Sequence, residues 1–171
     1  MTIQTRVLTG VLLLAVVVAV LVQLLTPDPA SEPGRDGVLE LVIENYRIDP
    51  PSFTVPAEEP VSLVFVNTDD HNHGVTLGRG VVEQAGRPAR FEECMFQHLA
   101  ATTEPRGALI APSEAVPCTT LSIGPNETVT LQFTAPAEIA GTWQLGCFTG
   151  PGCDYRVALS AEMTVSLPDT P

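Results

Sequence analysis

The chain contains no lysine, and all eight of its basic residues are arginine. One tryptophan, two tyrosines and three histidines are spread over 171 residues, and only 16% of positions are charged. Against the arginines stand 20 carboxylates, for a net charge of −12. A body of that sign repels phosphate backbones and anionic lipid headgroups, which excludes nucleic acid as a partner and favours a basic protein. No nucleophile–base arrangement or carboxylate pair stands out, and Gly78-Arg79-Gly80 is too little for a phosphate loop. No internal repeat is visible, and an enzyme is not expected.

Charge is also missing from one long stretch. "VLTGVLLLAVVVAVLVQLL", Val7 to Leu25, is 19 residues without a charged side chain. As a helix it measures about 28 Å, close to the hydrocarbon thickness of a bilayer. A signal peptide has a shorter apolar run and a small-residue cleavage site. The expectation is therefore a retained membrane anchor over residues 1–26. Arg6 precedes it, while Asp28 and Glu32 follow, which places the N-terminus in the cytoplasm and the bulk of the chain outside. The expected location is a bacterial inner membrane, single-pass, facing the periplasm. Residues 27–37, "PDPASEPGRDG", lack apolar periodicity and read as a Pro-rich tether.

The remainder, 38–168, carries the signature of short strands. In "VLELVIENY" Leu39, Leu41 and Ile43 alternate with Glu40, Val42 and Glu44. "SFTV" after Pro50-Pro51, "PVSLVFVN", "HGVTL", the segment around Val129, Leu131 and Phe133, "GTWQLGC" and "RVALSAEMTVSL" continue the series. Strands at regular spacing, punctuated by Pro and Gly, indicate a β-sandwich or Greek-key barrel.

Residues 78–117 interrupt the series. Within them Phe91, Cys94, Met95, His98 and Leu99 recur at helical spacing, so a helix from Arg90 to Ala101 is expected, either as a docking insert separable from the sandwich or as a lid packed on it. Four cysteines outside the cytoplasm point to disulfides. Of the three pairings, sequence order favours Cys94–Cys118 with Cys147–Cys153.

"FVNTDDHNHGVTL" and "GPNETVTLQFTAPAEIAGTWQLGC" add a resemblance. With the strands placed, residues 38–77 and 119–167 resemble the cupredoxins, the family of blue-copper proteins and of the copper domains of oxidases. The resemblance implies an all-β, cupredoxin-like Greek-key β-sandwich, here with a helical insert and preceded by a single transmembrane helix. It maps a ligand Cys onto Cys147 and a ligand His onto His73, with His71 as its alternative. The second ligand His falls on Cys153, and the axial Met on Ala158 or Leu159; Met163, in strand register with Val165, reads as core. A blue site needs two imidazoles and a thiolate.

Three readings stay open. Cys147–Cys153 is a disulfide and no copper binds; or Cys147, Cys153 and His73 form a sulfur-rich Cu(I) site with His98 or His71; or His98 restores a blue site. The reading taken forward is an accessory subunit of an integral respiratory or photosynthetic electron-transfer complex, docking through a copper-free domain. The alternatives are a tethered copper electron carrier that exchanges electrons with a basic cytochrome, and a copper storage or delivery protein.

Overall fold

The computed structural model describes residues 31–34, 36–114, 117–148 and 159–168. The apolar run at 7–25, most of the tether and Cys153 lie outside the described residues, among which no helix is long and apolar enough to cross a membrane.

Twelve strands form two sheets. They are β1 (Val38–Glu44), β2 (Arg47–Asp49), β3 (Ser52–Pro56), β4 (Pro60–Asn67), β5 (His73–Gln84) and β6 (Arg87–Cys94), followed by β7 (Ala101–Glu104), β8 (Leu109–Ile110), β9 (Thr120–Ile123), β10 (Thr128–Thr134), β11 (Gly141–Gly146) and β12 (Ser160–Ser166). One sheet has the order β2-β1-β4-β10-β7; the other runs β3-β12-β11-β5-β9-β8, with β6 added to β5. Pairing is antiparallel except between β1 and β4 and between β3 and β12.

The alternating pattern decides which residues face inward. Leu39, Leu41 and Ile43 of β1 are buried while Glu40 and Glu44 are exposed. Val61, Leu63 and Phe65 do the same in β4. Inward side chains of both sheets merge into one apolar core around Trp143, Phe53 and Phe65. The Trp143 indole donates to the Ile139 carbonyl at 2.8 Å, so its burial leaves no polar atom unpaired. Met163 is fully buried, in register with Trp143 and Phe53, and is core as expected.

The tether is partly tied down. Ser31 donates to the Ser52 carbonyl at 3.2 Å and accepts from the Thr54 N–H at 2.7 Å, which covers the outer edge of β3.

The expected helix over Arg90 to Ala101 is not formed. Arg87–Cys94 is β6, Met95–Gln97 is a single 3-10 turn, and Ala101 opens β7. Ala85 and Gly86, both with positive φ (52° and 75°), make a two-residue turn whose twist suits an antiparallel hairpin. It sends β6 back along β5, where backbone pairing outcompetes the helical propensity of this short segment.

The apparent helical stripe is in fact divided between two environments. Met95 enters the main core. Phe91 and Cys94 join Cys118, Val81 and Phe148 in a second apolar cluster. The hairpin therefore extends the seven-stranded sheet, with Phe91 and the Cys94–Cys118 pair on its outer face and Met95 tied into the inner core.

Gly78 is what permits this cover. A Cβ there would lie 2.5 Å from Phe91 Cδ2 and 2.5 Å from the Glu93 carbonyl oxygen. The Cys94–Cys118 disulfide, Cα–Cα 5.5 Å, fastens the end of β6 to the chain before β9 as expected. It closes a separation of 24 residues, which contributes about 3 kcal/mol in the chain-entropy description.

Gly78→Ala should therefore cost about 2–3 kcal/mol through overpacking against backbone. In thermal denaturation the melting temperature should fall by about 5–10 °C, with the disulfide intact; an unchanged value would mean that Phe91 is not held against β5.

Candidate functional site

His73 opens β5 opposite Ile123 of β9 and is 2% exposed. Its Nε2 lies 2.9 Å from Asp69 Oδ2. Asp69 is fixed in turn by the chain after β1, where Asn45 and Tyr46 have φ of 50° and 61°. Two successive left-handed residues aim their N–H groups at one point, and here both donate to the carboxylate, Asn45 N to Oδ1 at 2.7 Å and Tyr46 N to Oδ2 at 3.1 Å. Asn67 braces the same turn, donating to the carbonyls of His71 and Gly124 at 2.8 and 2.7 Å and accepting from the Asp69 N–H at 3.0 Å.

Burial pushes the Asp69 carboxyl upward, but the Tyr46 and Asn45 amides, with His73, outweigh it and hold the group below the usual carboxylate range. The Tyr46 ring packs edge-on to His73 at 5.5 Å and tilted to His71 at 5.6 Å.

His71 sits otherwise. Its side chain is 53% exposed and its Nδ1 meets the exposed Asp70, a surface pair that contributes little.

Cys147 follows β11 and is fully buried in the core. The β5–β11 ladder pairs Leu145 with Leu77 and Gly146 with Thr76. One further step sets Cys147 opposite Val75, on the same inner face as His73 and one diagonal away. Cys147 is disulfide-bonded, so it carries no thiolate. Cys153 and Ala158 lie outside the described residues. Leu159 is buried, with its N–H on the Tyr46 carbonyl at 2.5 Å.

The structure does not bring His98 to His73. His98 Nε2 pairs with Glu93 Oε1 at 2.8 Å, and its ring lies 6.0 Å from Trp143. Glu93 also takes a two-point contact from Arg79 of β5, Nε to Oε2 at 2.5 Å and Nη2 to Oε1 at 2.8 Å. The Arg79 guanidinium carbon stands 4.4 Å from the Trp143 ring centroid. Arg79 holds the Glu93 carboxyl below its ordinary range against a smaller opposing effect of burial, and Glu93 raises Arg79 in return. Arg79 lies six residues along β5 from His73, about 20 Å at strand rise. His98 is thus held at the Arg79–Trp143 part of the sheet, while His73 stands at the start of β5.

The Asp69, Tyr46 and Asn67 support and the Arg79–Glu93–Trp143 contact were not singled out from sequence. The acidic pair before His71 was the only visible sign of the first; the second spans three separate strands.

The fit to copper can be judged from these atoms. A carboxylate on the remote ring nitrogen is how ligand histidines are commonly oriented, and Asp69 does this for His73. The other members are missing: the Cys147 sulfur is oxidised, His98 is remote, and no three His, Cys, Asp or Glu side chains converge among the described residues. The described residues do not fit a set of two imidazoles and a thiolate.

No family model matches the chain, and no curated protein does. Among solved structures it is similar to dithionite-reduced auracyanin from Roseiflexus castenholzii, 23% identical over 78% of this chain and 99% of that one, TM-score 0.49. It is also similar to auracyanin A, a "blue" copper protein from Chloroflexus aurantiacus, at 21% identity over 75% and 98% of the two chains, TM-score 0.47. A multicopper oxidase from Campylobacter jejuni is 8% identical over 82% of this chain and 31% of its own, TM-score 0.42.

Ionised Asp69 should stabilise the turn by about 1–3 kcal/mol, the range for hydrogen bonds to a charged group. Its folded pKa lies below its unfolded one, so this contribution is complete above about pH 4 and is lost as pH falls through the lower, folded value. Asp69→Asn should be less stable than the parent at pH 7. Urea unfolding at a series of pH values should show the gap closing between about pH 5 and pH 2; a gap independent of pH would assign the loss to packing instead.

Proposed function

We propose that this chain is a membrane-anchored, extracytoplasmic accessory subunit of an electron-transfer complex, respiratory or photosynthetic, in which the β-sandwich is a docking module. The observation that supports this reading is the oxidised state of buried Cys147, the one position the cupredoxin resemblance makes a thiolate. A soft thiolate sulfur is what lets a blue site hold both copper valences, and a disulfide sulfur does not supply it. The proposed anchor is the apolar run at 7–25, and the proposed side of the membrane follows from Arg6 before it. The acidic, lysine-free body suits a basic protein surface in the assembly.

A tethered copper carrier is the second reading. It is favoured by one arrangement, the buried His73 oriented by Asp69. In that reading Cys147 would have to be reduced before it bound copper.

Both readings are separated by thiol counting and spectroscopy on the purified full chain. The docking module should show no free thiol after denaturation. Copper(II) titration should give no intense visible thiolate-to-copper band. Two or more free thiols, together with a strong blue or red band at one copper per chain, would overturn it in favour of the carrier.

A further inference from the structure

The two sheets differ in what covers their outer faces. On the seven-stranded sheet, Gly78 lies against Phe91, Phe91 packs with the Cys94–Cys118 disulfide, and Thr76 and Thr120 are buried and paired with each other. On the five-stranded sheet nothing among the described residues lies over the outward side chains.

Its register sets them in rows. One row is Asp49, Val42, Val66, Thr128; the next is Glu40, Val64, Thr130, Glu104. Val42, Val64 and Val66 are half-exposed neighbours at the centre, and Glu40, Glu44, Asp49 and Glu104 are exposed around them. Against these four carboxylates the strands of this face hold, among the described residues, one cation, Arg47, across from Glu44.

We infer that this face of β2-β1-β4-β10 is the surface through which the domain docks, and that its occupant is a basic protein presenting lysine or arginine around an apolar centre. The inference rests on the docking reading above and names the surface and partner chemistry it leaves open. β-Branched residues on a strand's solvent side need no partner individually. These three are contiguous, however, and an apolar centre framed by charge is the anatomy of an interface. Valine has one dihedral to fix, so the centre is ordered before contact and docking immobilises little. The carboxylate frame selects the sign of the partner and accelerates encounter.

The absence of lysine makes the test direct. Carbodiimide cross-linking joins carboxylates to amines, so with the full chain in detergent and mitochondrial cytochrome c as the basic probe, cross-links to lysine must come from the probe. They should map to Glu40, Glu44, Asp49 and Glu104 and fall about tenfold when salt is raised from about 20 mM to 200 mM. E40R/E104R should weaken them at least fivefold, E83R/E92R on the opposite face should not, and the near-isosteric V64T/V66T should weaken them several-fold without changing the salt dependence. Cross-links concentrated on Asp69 and Asp70, or on Glu83 and Glu92, would overturn the proposal. If the copper and thiol results still exclude a carrier, only the choice of face is lost; a copper band with cross-links at the His73 end removes the docking reading as well.

Discussion

The first half of strand β5, from His73 to Gly78, is buried on both of its faces, and the placement of the candidate site follows from how that is done. Its inner side chains Val75 and Leu77 belong to the sandwich core. Of its outer positions, Gly78 lies under the Phe91 side chain and Thr76 is buried beside Thr120. A strand covered twice tolerates polar atoms only as pairs, and it holds two: Thr76 Oγ1 with Thr120 Oγ1 at 3.1 Å, and His73 with Asp69. The cover is possible because residue 78 has no side chain and because Ala85-Gly86 reverses the chain within reach. With β5 so fixed, the positions of His73 at its start and Arg79 near its middle are fixed too. One can be a ligand-like imidazole and the other a clasp for Trp143, but they cannot meet.

The sandwich was legible in the sequence wherever one face of a strand meets solvent. Strands β1, β4 and β10 alternate cleanly because their outer faces are open, and the prediction that Leu39, Leu41 and Ile43 face inward holds. The insert was misread for the complementary reason. Phe91 and Cys94 serve an outer cluster while Met95 serves the inner core, and a strand that feeds two apolar compartments across a change of direction imitates a helical period. No local propensity signals that Gly78, far away in sequence, is the floor on which Phe91 rests. The ligand end was half legible: His73 and Cys147 do share the inner face, but the left-handed Asn45-Tyr46 pair that fixes Asp69 is a tertiary feature with no pattern to read.

A buried imidazole held by a carboxylate is compatible with two chemistries. It is the support a metal-ligating histidine commonly has, and it is equally a complete answer to the desolvation of a core histidine. His73 alone therefore cannot decide between a carrier and a module. The decision lies with sulfur. Closing a disulfide is a two-electron oxidation that removes the thiolate charge by which sulfur binds copper softly, so the same backbone presents a metal site or a structural cross-link depending on oxidation state. An oxidising compartment favours the cross-link.

Apart from the state of its sulfur, the domain is asymmetric in its faces. A cupredoxin-like carrier works through its ligand end, where distance to the metal limits electron transfer; a docking module is free to use a sheet. The insert places Phe91 and its disulfide on the outer face of one sheet. The other keeps its valines bare inside a frame of carboxylates, on a chain that has discarded lysine altogether. An arginine-only basic set limits flexible point charges that would neutralise such a frame, and the one cation it contains, Arg47, already faces Glu44. The electrostatic character of the open face is thus set by the strand register, since a one-residue slip of β1 would turn Glu40 and Glu44 into the core. The alternation that builds the fold is therefore what holds the carboxylates outward.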